Sequence, residues 1–131
     1  MAEPRQKHLV LILAREFISN LATPTLIADD QGHLVFFNEA AEELFGKTFP
    51  EIGEMPLEAW TERFSPRSLE SEPLSLDQRP AGIALREHRP AHERLRVTSI
   101  DGVERTVSTT AVPLFAHADE FVGIVTFFWR D

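Results

Sequence analysis

The stretch Phe121–Arg130 most constrains what this chain can fold into. Valine, isoleucine and aromatic residues dominate it, and such side chains suit a packed, pleated strand. One face of the strand would carry Phe121, Gly123, Val125, Phe127 and Trp129, and the other Val122, Ile124, Thr126 and Phe128. Neither face is polar, whereas a strand with one solvated face alternates apolar and polar residues. We therefore expect this strand at the centre of a sheet, with a packed layer on each side.

Composition narrows the class of protein. The 131 residues suffice for a single domain with its own core. The net charge of -8 argues against nucleic acid and anionic membranes as partners, because binding to phosphates depends on lysine and arginine. The absence of cysteine excludes disulfides, thiolate nucleophiles and cysteine-ligated metals. No apolar run approaches the ~20 residues of a membrane span, and a cytoplasmic location is predicted.

Helical spacing predicts an amphipathic helix from about residue 4 to residue 21. Residues 1–21 are therefore taken as an N-terminal helical segment and residues 22–131 as the main domain. The apolar stripe of the helix comprises Val10, Leu13, Ala14, Phe17, Ile18 and Leu21. Leu9, Leu11 and Ile12 widen this stripe in the first half. Two roles stay open for the helix, a cap on the sheet of its own domain and a contact in a homodimer. The residues expected at the dimer contact are Val10, Leu13, Phe17, Leu21 and, from the last strand, Ile124.

Turn and cap residues divide the rest of the chain. A hairpin is predicted over residues 25–37, because Gly32 closes a polar turn between two apolar runs. Asn38 is a typical N-cap and Gly46 a typical C-terminal stop for the helix between them. Residues 47–78 are irregular, with a short helix around 56–63. A helix over 80–88 and strands over 92–99 and 103–114 follow, the strands joined at Asp101 and Gly102.

This order, with these residues, resembles a PAS domain over residues 19–131. The features that carry the resemblance are the 25–37 hairpin, the segment from Asn38 to Gly46, the segment from Arg79 to Pro90, the Asp101–Gly102 turn and the last strand ending at Asp131. The resemblance implies an α+β fold: a five-stranded antiparallel sheet in the order 2-1-5-4-3, with helices on one face and the N-terminal helix flanking it. It also implies a sensory or interaction module that relays a signal to an effector domain, often through the residues that follow the terminal aspartate.

The ligand is left open, since the PAS fold hosts many. A flavin–thiol photosensor is excluded because it needs a cysteine. A haem sensor would need an axial histidine such as His88, but a residue at a helix end before Pro90 is normally exposed. Trp60 is either a core residue or a stacking residue for an aromatic ligand or a non-covalent flavin, so a haem or flavin sensor stays an alternative. No tightly bound cofactor, metal site or catalytic residue is expected.

Strand alternation and the resemblance together predict a mainly apolar pocket wall facing the helices. It comprises Trp60, Ile83, Leu95, Val97, Val107, Thr109, Ala111, Gly123, Val125 and Phe127. A register error of one residue would invert each strand's set. A small, largely apolar ligand and a fully packed core remain alternatives.

Three functions compete on this basis. The first is a non-enzymatic, homodimeric sensory or relay domain, either the N-terminal input module of a bacterial sensor kinase or phosphatase or a free-standing PAS protein. The second is a ligand-free interaction module. The third, a small enzyme, would need a buried acid or base with a perturbed pKa, which the predicted wall does not supply.

Overall fold

A single antiparallel sheet organises the chain. The structure, a computed structural model, describes residues 4–46, 55–99 and 102–130, without the side chains of residues 4–8, 60, 61 and 130. The strands are β1 (Thr25–Asp29), β2 (His33–Phe37), β3 (Met55–Pro56), β4 (Ala91–Thr98), β5 (Glu104–Phe115) and β6 (Phe121–Arg130). Their order across the sheet is β3-β2-β1-β6-β5-β4. The central position predicted for the last strand is confirmed, because β6 pairs with β1 on one side and β5 on the other.

The sheet has one strand more than predicted. In β3, Met55 and Pro56 pair with Leu34 and His33 of β2. Two residues are too few to show an alternating pattern, and proline is tolerated where a strand lies at the edge of a sheet. Without β3 the order is β2-β1-β6-β5-β4. When these five strands are numbered from 1 to 5 along the chain, this is the predicted order 2-1-5-4-3.

Four α-helices accompany the sheet in the described ranges: α1 (Pro4–Ser19), α2 (Glu39–Phe45), α3 (Leu57–Glu62) and α4 (Pro80–Glu87), with a 3₁₀ helix at Leu76–Gln78. Gly46 ends α2 in the left-handed conformation and donates its N–H to Glu42 O. Pro80 begins α4, and His88 ends it with a positive φ of 56°. None of the helices in these ranges is both long and apolar enough to cross a membrane.

Two apolar clusters lie on opposite faces of the sheet. The inner cluster packs helices α2, α3 and α4 against the sheet and includes Leu26, Phe45, Val107, Ile124 and Phe128. The outer cluster joins Ile18 of α1 to Ile27 of β1 and Val125 of β6. The two layers that the apolar pattern of β6 requires are therefore the inner helices and α1.

The register predicted for β6 is inverted. Ile124 and Phe128 belong to the inner cluster, whereas Val125 and Phe127 pack in the outer cluster beneath α1. Alternation cannot decide between two faces that are both apolar, and a shift by one residue exchanges them. Ile124 is completely buried on the inner side, so the prediction that it contacts a second subunit is wrong.

The two predicted turns form as expected where the structure describes them. In the first, Asp29 Oδ1 accepts hydrogen bonds of 2.9 Å from the backbone N–H groups of Gln31 and His33. In the second, Gly102 N donates to Ser99 O at 2.8 Å. Asp101 and residues 47–54, part of the segment predicted to be irregular, lie outside the described residues.

Candidate functional site

Asn38 joins three elements at one buried side chain. Its Oδ1 accepts hydrogen bonds from Thr25 N of β1 at 3.1 Å and from Ala41 N of α2 at 3.0 Å. Its Nδ2 donates to Ile18 O of α1 and to Thr23 O, both at 2.9 Å. The sequence predicts the helix cap, but it gives no signal for the bonds to the α1 end. Asn38 therefore fixes α1, β1 and α2 relative to one another.

The inner cluster encloses a small chamber of about 40 Å³. Its lining residues are Leu26, Phe45, Phe64, Pro66, Arg79, Leu95, Val97 and Phe128. Phe45 packs edge-on against Phe128, with ring centroids 5.5 Å apart, and lies 4.7 Å from the Phe64 ring. These aromatic side chains fill most of the space between the sheet and the helices. The chamber has room for a water molecule or two, whose share of liquid volume is about 30 Å³ each.

Two threonine hydroxyls add polarity to this inner face. Thr109 pairs with Phe128, and Thr126 pairs with Leu26 and Ala111, so both belong to the face of the inner cluster. Both are almost fully buried, and in the described part of the chain neither hydroxyl has a hydrogen-bond partner. An unpaired buried hydroxyl costs about 1–3 kcal/mol. Thr109 stands in the predicted wall, whereas Thr126 is absent from it because of the register error.

Arg79 is a buried cation between the chamber and the surface. Only 6% of its area is exposed, and its Nε donates to Ser75 O at 3.1 Å. Burial lowers the pKa of the Arg79 guanidinium to about 10, and the nearby carboxylates of Glu58 and Glu62 partly oppose this effect. Arg79 is therefore still charged at neutral pH. Nothing in the sequence singles it out, because an arginine that precedes a helix is normally solvated.

A cleft of about 480 Å³ opens on the other side of Arg79. Helix α3 contributes Glu58 and Glu62, and the segments that flank the 3₁₀ helix contribute Ser75 and Arg79. The remaining lining residues are Ser65, Pro66, Arg67, Pro73, Leu74, Leu76 and Gln78. The cleft thus combines apolar walls with two carboxylates and two guanidinium groups.

The predicted pocket wall divides between several locations. Leu95 and Val97 line the chamber, and Val107 and Ala111 lie elsewhere in the inner cluster. Ile83 is half-buried on α4. Val125 and Phe127 lie on the opposite face, and Gly123 is buried where β6 approaches Ala28. The side chain of Trp60 lies outside the described residues, so its role stays a prediction.

The α1 residues predicted at a dimer contact differ in how far they are exposed to solvent. Leu13 and Phe17 are 59% and 65% exposed. Val10 is half-buried, and Leu21 packs against the outer cluster of its own domain. Leu9 and Ile12 join the exposed group, as does Trp129 of β6. The helix thus caps its own sheet and also presents an apolar side to solvent.

His88 has the environment of a surface residue. It is exposed, and its ring stacks on Phe121 with centroids 3.9 Å apart and an angle of 10° between the planes. A haem ligand would have to project into the inner cluster instead. Among the described residues, no group of three histidine, aspartate or glutamate side chains is placed to hold a metal ion.

Comparisons with known proteins place this geometry in a family. The family model described as PAS fold matches residues 18–130. A comparison with curated proteins gives no significant match.

Solved structures share the fold at low identity. The PAS domain of Bordetella pertussis BvgS is 21% identical, with a TM-score of 0.63 over 92% of this chain and 84% of that one. The PAS domain of nitrogen regulation protein NR(II) from Vibrio parahaemolyticus is 20% identical, with a TM-score of 0.63 over 91% and 98%. A PAS domain from a two-component sensor histidine kinase is 15% identical, with a TM-score of 0.59 over 95% and 98%. The α+β architecture predicted from the sequence is thereby confirmed, and the chain belongs to the PAS fold family.

Proposed function

We propose that this PAS domain is a non-enzymatic sensory or relay module that acts as a homodimer in a bacterial signalling protein. PAS domains are generally sensory, and they commonly dimerise and pass signals to effector domains. A sensor histidine kinase is the effector we favour, since a PAS domain of such a kinase shares the fold. A phosphatase effector and a free-standing PAS protein are variants of the same proposal, and a cytoplasmic location stays a prediction.

The two apolar sides of α1 carry this proposal. Ile18 is 1% exposed and anchors one side to the outer cluster. Leu9, Leu13 and Phe17 follow one another at intervals of four residues on another side, and each is more than half exposed. Burying such side chains against a second copy of α1 would release about 1.5–3 kcal/mol for each one.

A continuous set of contacts supports relay through this helix. Asn38 bonds the C-terminal end of α1 to β1 and α2, and α2 contributes Leu44 and Phe45 to the inner cluster. A shift of α1 in the dimer would therefore act on the helices of the inner face. Coupling of this kind needs such a connected element with two arrangements.

Sedimentation velocity over a range of protein concentrations tests the dimer. We expect a dimer for the unmodified protein, and a dissociation constant raised by at least about a hundredfold in the double variant Leu13→Ser, Phe17→Ser. The matched control is Glu16→Ser, an exposed polar position on the same helix. A monomer at high concentration, or a double variant that dimerises as tightly as the unmodified protein, would refute the dimer.

A ligand-free interaction module is the second candidate, and the small chamber favours it. A space of about 40 Å³ is far below the ~300–1,000 Å³ of typical small-molecule sites. Native mass spectrometry of protein purified without denaturation separates the two functions. A discrete added mass supports a ligand sensor whose core adapts, and a clean polypeptide mass supports the ligand-free module.

A further inference from the structure

The cleft beside Arg79 carries charges of both signs on different elements. Glu58 and Glu62 lie one helical turn apart on α3, and both line the cleft. Arg67 and Arg79 line it from the irregular segments on either side of the 3₁₀ helix. The four side chains sum to zero formal charge. The two carboxylates come from α3 and the two guanidinium groups from other segments, and we call these two groups of residues the negative and the positive end of the cleft.

The positive end has unused hydrogen-bonding capacity. A guanidinium group carries five N–H donors, and the Arg79 side chain uses Nε for Ser75 O. Among the residues that the structure describes, no carboxylate lies within ion-pair distance of Arg79. A cation that is 94% buried would gain from a bidentate carboxylate partner, since charge-assisted bonds of this kind are among the strongest in proteins.

We propose that this cleft binds a small zwitterion of the α-amino acid type, with its carboxylate on Arg79 and its ammonium group against Glu58 and Glu62. The inference deepens the proposed sensory function and rests on it, because it names the class of signal.

The charge distribution selects this class over simpler ligands. A plain carboxylate would gain the contact with Arg79 but would meet the field of two glutamates. A plain amine would gain the glutamates but would meet two guanidinium groups. Only a ligand that carries both charges satisfies both ends, and the apolar walls formed by Pro66, Leu74 and Leu76 suit its side chain.

Arg79 also connects the cleft to the core. It lines the cleft on one side and the inner chamber on the other, where Phe128 of β6 is its neighbour in the lining. A ligand that draws the guanidinium outward would change the packing against the central strand. Occupancy of the cleft would in this way reach the sheet without a molecule entering the core.

Titration of the full chain followed by NMR tests the proposal. The probes are the standard L-amino acids, one at a time, with propionate and propylamine for comparison. We expect saturable shifts in residues 58–79 with at least one amino acid, and affinity at least about tenfold weaker for propionate and propylamine. Arg79→Gln should weaken binding by about ten- to a hundredfold. Its matched control Arg63→Gln, an exposed position outside the lining, should bind like the unmodified protein.

The double variant Glu58→Gln, Glu62→Gln keeps the test independent of folding, because both positions are exposed. We expect the affinity for the amino acid to fall about tenfold, and its preference over propionate to disappear. The control is Glu70→Gln, an exposed glutamate outside the cleft. An unchanged preference in the double variant, or no binding of any standard amino acid to the unmodified protein, would overturn the inference. Neither outcome bears on the dimer, whose test is sedimentation.

Discussion

At the scale of single residues, Asn38 is the side chain with the most consequences. Its hydrogen-bond partners fix how the amide is oriented, because two backbone N–H groups need an acceptor and two carbonyl groups need a donor. The carbonyl oxygen therefore serves β1 and α2, and the amide nitrogen serves the end of α1. Because of this division, a mutation of Asn38 can remove the hydrogen bonds to α1 and leave those to β1 and α2 in place.

Replacing Asn38 with Asp or Ala tests that division. Asn38→Ala should cost about 3 kcal/mol or more, because it removes an N-cap and strands several buried backbone groups. Asn38→Asp keeps the acceptor for Thr25 and Ala41 but loses the donor to α1. Hydrogen exchange should then show α1 amides exposed while the amides of α2 stay protected. Equal loss of protection in both helices would contradict the division.

Gly123 occupies a position that only a residue without a side chain can fill. A Cβ atom there would collide with the carbonyl oxygen of Ala28 on the neighbouring strand. Gly123→Ala should therefore lower the free energy of unfolding by about 1–3 kcal/mol, as overpacking does. In Gly102→Ala, by contrast, the new Cβ has nothing within 4 Å and φ is +91°.

Denaturant unfolding of the two glycine variants separates steric from backbone effects. Gly102→Ala should cost about 1–2 kcal/mol through its left-handed backbone alone. A Gly123→Ala variant as stable as the unmodified protein would show that β6 can move away from β1 at that point.

At the scale of elements, α1 stabilises the domain through the side of the helix that carries Ile18 and packs on the sheet. Ile18→Ala should cost about 2–5 kcal/mol, because the side chain is buried in the outer cluster. Leu13→Ala removes a similar volume from an exposed position, and it should cost less than about 0.5 kcal/mol in dilute, monomeric protein. Thermal unfolding at low concentration makes this comparison, and equal losses would mean that the helix packs on a different side.

The type of each element could be predicted from its local sequence, whereas the face of the sheet to which the side chains of β6 point could not. Alternation and the residues Gly32, Asn38 and Pro80 were enough to predict the hairpin, α2 and α4, since these signals act over a few residues. The face of β6 depends on which apolar side meets α1, and that choice is made by long-range packing. Arg79 shows the same limit at the site. It shares the chamber lining with Leu26 and Phe128, which lie far from it in the sequence at the two ends of the domain, and such long-range packing leaves no local signal.

At the scale of the whole molecule, the sheet separates two compartments that share one strand. The inner helices hold the chamber and adjoin the cleft, and α1 occupies the opposite face with its exposed apolar side. Strand β6 contributes Ile124 and Phe128 to one compartment and Val125 and Phe127 to the other. A change of packing on either face of the sheet must therefore alter the contacts of β6, because β6 contributes side chains to both faces.

The pairing of the first strand with the last also determines when the sheet can form during protein synthesis. Leu26 pairs with Thr126, a hundred positions later in the sequence. At the ~5–20 residues per second of protein synthesis, β1 waits roughly 5 to 20 seconds on the ribosome before its central partner exists. During that interval Leu26 and Ile27 lack the strand that buries them, and such unpaired apolar edges favour aggregation. The sheet can therefore be completed only after β6 has been synthesised, because β6 is the strand that joins β1 to β5.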